Sequence, residues 1–168
     1  ALATHAQWFE DHLPIDPKYR KPKVQGVSAM AIEVVIEIGD SGPITPIGVN
    51  LPNANWIRDS IGSKSVSLGN ISDAYEKSSG TSTLEIFCHD VEEIELAKKH
   101  GSLAGKLHTA LHEVVGHASG QLEPGVGETD ATLKSYASTL EEGRADLMAL
   151  YYVMDPKLVD IGVMPSLE

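Results

Sequence analysis

His112-Glu113-Val114-Val115-Gly116-His117, followed downstream by Glu141-Glu142-Gly143-Arg144-Ala145-Asp146, decides how the chain is read. Two imidazoles on one helix and a distant carboxylate are what a catalytic zinc requires, three protein ligands with one position left open for water. His112, His117 and Glu142 are the expected ligands of one Zn2+ per chain. Glu113, beside the first histidine, is placed to take a proton from that water.

The histidine spacing needs a structural device. Residues four apart on an α-helix lie about 40° from each other, but residues five apart diverge by about 140°. An undistorted helix cannot aim both His112 and His117 at one metal. A single wide π-type turn restores a common face, and such bulges cluster at functional sites. Gly116 lowers helical preference where the ladder must deform, so the spacing predicts a bulge across 114–117. A rival pair, His108 and His112, has the four-residue spacing. His108 brings neither an adjacent base nor a link to the acidic motif.

Outward from the motif, Leu103, Leu107, Leu111, Val114 and Val115 recur at helical steps and predict a helix over 103–118 with these residues inward. A second helix is expected over 131–152, capped by Thr129 or Asp130. Its predicted buried stripe is Leu133, Tyr136, Ala137, Leu140, Leu147 and Tyr151. Glu142 and Asp146 are four apart there and share a face. With Glu142 on the metal, Asp146 is free to accept a hydrogen bond from one ligating imidazole and Glu141 from the other, fixing their tautomers. An acidic helix over 84–100, closed by Gly101, precedes the metal helix. Its carboxylates Glu92, Glu93 and Glu95 read as a solvated face. Nearer the start, a helix is expected over 1–12 and a strand over 27–38, centred on Val34-Val35-Ile36. Short elements are expected at 57–61, 65–68 and 71–77, with a polar loop at 78–83. The segment Gly39–Asn53 carries three glycines and three prolines, and its extended backbone could pair with a peptide as an added strand.

The pattern HExxGH followed by EExRA(D/E) resembles the dipeptidyl-peptidase III family of zinc exopeptidases. Gly48-Val49-Asn50-Leu51-Pro52-Asn53 with Ile57-Arg58, and Lys64-Ser65-Val66-Ser67-Leu68-Gly69-Asn70, extend the resemblance in order from about 41 to 160. It implies release of dipeptides from the amino termini of short peptides. It gives Pro46–Asn50 the added-strand role and makes Asn50 and Asn53 hydrogen-bonding anchors near the substrate's amino terminus. The bare residues also permit ordinary Asn turn chemistry there. Arg58 reads as a structural ion-pair residue. Family members are several times longer, with two lobes around a cleft. Residues 1–168 are therefore expected to be one segment of a catalytic domain, 1–60 a strand and loop region and 61–168 the helical zinc region. The remaining lobe would be a partner, supplying the oxyanion donor and the acidic anchor for the substrate ammonium.

Composition narrows the alternatives. With 24 acidic against 13 basic residues the formal net charge is −11, which disfavours nucleic acid and anionic membranes as partners. The single cysteine, Cys88, excludes an internal disulfide, fits the cytoplasm and is expected to be a buried small hydrophobe. Ser119 does not sit in a Gly-x-Ser-x-Gly elbow, and no phosphate-binding glycine loop occurs. The expected fold is α+β, mainly helical with a small strand region near the amino terminus. The expected function is a zinc-dependent dipeptidyl peptidase. The alternatives are a zinc peptidase of another cleavage mode and a non-catalytic zinc-binding or peptide-docking module.

Overall fold

The computed structural model describes residues 1–168 except 39–43, 53, 81 and 168, and omits the side chains of 55 and 59. It is mainly helical around one small sheet. Helix α1 (Ala6–Asp11) follows a 3-10 turn, and Asp16 caps a second such turn at Pro17–Tyr19. Strand β1 (Ser28–Ile32), strand β2 (Gly48–Leu51), helix α2 (Asn55–Ser60) and strand β3 (Lys64–Leu68) come next. The strand order is β1-β3-β2, with β1 parallel and β2 antiparallel to the central strand. Helices α3 (Gly69–Ser79), α4 (Ser82–Phe87) and α5 (Val91–Leu111) follow. A π turn (His112–Gly116) extends α5. The chain closes with α6 (Thr129–Leu133), α7 (Ala137–Tyr152) and α8 (Lys157–Asp160).

One core draws on both ends of the chain. Leu2, Phe9 and Leu13 pack with Leu111, Val114 and Val115 of the metal helix and with Ala149, Tyr152 and Leu158. The buried Tyr152 hydroxyl donates to the Phe9 carbonyl at 2.6 Å, as a buried phenol must find a partner. Glu10, buried, accepts from the Lys21 and Gly120 backbone amides, fastening α1 to the loop after the metal helix.

Several expectations are corrected. The strand predicted over 27–38 ends at Ile32, because β3, its partner, turns into α3 after Leu68. Asn70 then brackets the Val34 backbone amide and carbonyl at 2.9 Å, while Val35, Ile36 and Ile38 stay exposed. Gly101 does not close a helix. The Asp90 side chain caps α5 through the Glu93 amide, and the helix runs on through Gly101. A glycine costs about 1 kcal/mol relative to Ala in a helix interior, too little to stop one favoured on both sides. The helix expected over 131–152 is interrupted at Lys134, which sits at φ 53°, and α6 carries no side-chain cap. The polar loop at 78–83 is largely absorbed into α3 and α4.

The stripe predicted over 131–152 holds only at Ala137. The buried residues of α7 are Ala137, Ala145, Ala149 and Tyr152, while Tyr136, Leu140, Leu147 and Tyr151 are exposed. Small side chains face the π turn because that contact is too close for large ones. A Cβ on Gly116 would lie 2.8 Å from the Cα, Cβ and carbonyl oxygen of Ala145. Leu103 is exposed and Cys88 only half-buried, so neither is core. No helix among the described residues is long and apolar enough to cross a membrane.

Candidate metal centre

The expected bulge is the π turn itself. The His117 amide donates to the His112 carbonyl, five residues back, at 3.0 Å. That wide turn brings the two rings edge to face, their centroids 4.7 Å apart. Helix α7 presents Glu142 across from them. His112 Nε2 lies 3.2 Å and His117 Nε2 3.8 Å from Glu142 Oε2. One donor atom from each of the three residues falls within 4.8 Å of the others, the only such group among the described residues. Bonds of 2.0–2.2 Å to a tetrahedral zinc would set its donors roughly 3.3–3.6 Å apart, so this set fits the ion after a small adjustment. The soft-to-borderline donor pair of imidazoles with one carboxylate suits zinc over magnesium or calcium.

Each histidine is held from behind. His112 Nδ1 is 2.8 Å from Asp146 Oδ1, and His117 Nδ1 is 2.9 Å from Glu141 Oε1. A carboxylate accepts only, so each Nδ1 carries a proton, which leaves Nε2 as the atom each ring could offer a metal. Arg144 fixes Glu141 in turn, donating from Nε and Nη2 at 2.9 and 2.7 Å. Burial pushes the Glu141 carboxyl up, but the bonds from His117 and Arg144 outweigh it and hold its pKa at about 2. Nη1 of Arg144 also donates to the Ser119 carbonyl at 3.1 Å. Arg58 closes the other side, with Nε 2.6 Å from the Pro52 carbonyl and Nη1 3.7 Å from Glu141 Oε1. His108 Nε2 stands 3.7 Å from Asp146 Oδ1, outside the group formed by the other two histidines and Glu142.

Glu113 is buried beside the two imidazoles, and its Oε2 has no hydrogen-bond partner. Burial raises its pKa, the nearby His117 and His112 oppose that, and Glu142 adds to the rise. The β2 backbone approaches closely: a Cβ on Gly48 would meet Glu113 Oε1 at 2.6 Å. A cavity of about 700 Å3 opens here, lined by Gly48, Asn50, Arg58, Glu113, His117 and Glu142 among others. Asn50 is buried in β2. Its Nδ2 donates to Ser65 Oγ and to the Glu113 carbonyl, while its Oδ1 has no partner. Asn53 lies outside the described residues.

Sequence reasoning missed Ser65, Glu10, and the steric demands at Gly48 and Gly116. The Glu141–Arg144 pair was within reach, since residues three apart on a helix meet. A buried Glu10 had no such signal.

The model of peptidase family M49 matches residues 1–125. This chain belongs to peptidase family M49. The match contains His112, Glu113 and His117 and ends before Glu142. Among curated relatives, human dipeptidyl peptidase 3 is 27% identical over 95% of this chain, and the Nematostella vectensis protein of that name 31% identical over 72%. The chain spans about a quarter of the length of the human relative. The solved structure of DPP III from Caldithrix abyssi superposes with a TM-score of 0.72 at 26% identity, covering 98% of this chain and 31% of that one.

Proposed function

We propose that this chain carries the zinc site of a dipeptidyl peptidase, cutting dipeptides from the amino termini of short peptides. The observation that carries the proposal is the convergence of His112 Nε2, His117 Nε2 and Glu142 Oε2 beside the buried, unpartnered Glu113 Oε2. When bound there, zinc supplies Lewis-acid polarisation of the scissile carbonyl and acidification of an attacking water. The chain's own residues do the rest. Asp146 and Glu141 hold the Nδ1 protons, so the Nε2 atoms of His112 and His117, with Glu142, would hold the ion. Glu113 takes the proton of the attacking water at its free oxygen and returns it to the leaving amine, which restores the carboxylate.

Substrate placement belongs to the sheet. Strand β2 is an outer strand in the described sheet, and a peptide added along it would lie over Glu113. Both Nδ2 hydrogens of Asn50 are already used, so only its Oδ1 remains, an acceptor suited to a substrate ammonium or amide. Asn53 is proposed as the second anchor by resemblance. One segment over 1–168 within a longer two-lobed protein is the domain reading, supported by the greater length of the relatives. The lone Cys88 fits a cytoplasmic setting.

Turnover of a free short peptide against its amino-acetylated form, in the full-length protein, tests the reading. The free peptide should release a dipeptide and the acetylated one should not. Glu113→Gln should lower turnover about 10²–10⁴-fold while zinc binding persists. Equal turnover after that change would rule out Glu113 as the base, and no turnover of the free peptide by the unsubstituted protein would favour a non-catalytic module.

A further inference from the structure

The π turn has a second cause outside the metal helix. Asn50 and Ser65 face each other across the β2–β3 ladder, and both are buried. Asn50 Nδ2 donates to Ser65 Oγ at 2.9 Å and to the Glu113 carbonyl at 3.0 Å, and Ser65 Oγ donates to that same carbonyl at 2.9 Å. The triangle is closed. Two amide hydrogens, one hydroxyl hydrogen and both lone pairs of the carbonyl are all engaged. Because a carbonyl only accepts, the amide orientation is fixed by the network, with Nδ2 toward Glu113.

The identity of that carbonyl gives the triangle its meaning. In an uninterrupted α-helix the His117 amide would bond to the carbonyl four residues back, which is that of Glu113. Here it bonds to His112 instead. We infer that Asn50 and Ser65 select the π register by occupying the one acceptor the α register needs, and so act as positioning residues for His112 and His117. A return to the α register would orphan two buried donors, a penalty larger than the net worth of an ordinary hydrogen bond. It would also turn the histidines about 140° apart. The sheet thereby sets the coordination geometry without touching the ion.

The readout rests on the zinc reading above, and the experiment separates the two. Zinc affinity, by competition with a chelator, and the visible spectrum of the cobalt-loaded protein are measured for the unsubstituted protein, Ser65→Ala and Ser65→Thr. Ser65→Ala should keep its far-ultraviolet dichroism, lose about ten- to a hundredfold in zinc affinity and change its cobalt spectrum, as loss of an orienting partner does. Ser65→Thr, which keeps the hydroxyl, should restore both. Unchanged affinity and spectrum in Ser65→Ala would overturn the inference. Absence of metal binding in the unsubstituted protein would count against the zinc reading alone. In that case, or if Ser65→Ala does not fold, an experimental structure of the unsubstituted protein decides. A His117 amide bonded to the Glu113 carbonyl would then overturn the inference, and one bonded to His112 beside an intact triangle would support it.

Discussion

At Gly48 a single added carbon would lie 2.6 Å from Glu113 Oε1, so this glycine exists to let a strand pass a carboxylate. Gly48→Ala should leave the fold and zinc content intact while displacing the base, with kcat falling at least about tenfold, since small misplacements at a reacting centre are costly. Steady-state kinetics beside metal quantification checks this. Gly116 answers a different demand, the approach of α7. Gly116→Ala should destabilise by about 1–3 kcal/mol, the usual cost of overpacking, and weaken zinc binding as α7 moves away. Urea denaturation measures the first effect and chelator competition the second. Neither glycine has a positive φ, so backbone sterics did not mark these close approaches, and Gly116 was read only for its low helical preference. That His112, His117 and Glu142 would come together was legible, because metal chemistry restricts residue type and helix geometry restricts spacing. Ser65 was not, because a serine in a strand carries no sign of what its hydroxyl meets.

Elements were legible where pattern and end signals agreed. The five-residue histidine spacing called for the π turn, whereas the helix expected over 84–100 breaks between Phe87 and Asp90, the cap of α5. They were misread where a weak stop signal competed with propagation, as at Gly101, or where packing chose small residues over large, as on α7. The site joins these elements through charged contacts that can be titrated. Glu141, held at a pKa of about 2 against an ordinary 4.5, binds fewer protons folded than unfolded. Its stabilisation is therefore complete above pH 4.5 and lost as pH falls toward 2. Arg144→Ala should raise that pKa, flatten the acid limb of the stability profile and lower stability at pH 7 by about 1–3 kcal/mol, discounted for partial exposure. Thermal melts across pH 2–7 provide the check. Glu10→Ala should remove the buried carboxylate that accepts from the Lys21 and Gly120 amides and cost about 1–3 kcal/mol, since the tie between α1 and that loop is lost.

At the scale of the molecule, residues from both ends meet in one core around α5 and its π turn, so an ion bound at the candidate centre would couple to folding. With zinc at about a thousandfold over its dissociation constant, the folded state should gain about 4 kcal/mol, and a chelator should remove it. Melting curves with and without chelator measure this gain, and superposable curves would speak against a site formed by folding. The overall class, mainly helical with a small sheet, followed from hydrophobic periodicity, whereas the β1-β3-β2 order depends on pairings that no local pattern encodes. The most direct test is a crystal structure of the zinc-loaded protein with anomalous scattering at the zinc edge. The predicted result is one zinc peak about 2.0–2.2 Å from His112 Nε2, His117 Nε2 and a Glu142 oxygen, with the π turn intact. A peak held by His108 and His112, or no peak among the three groups, would contradict it.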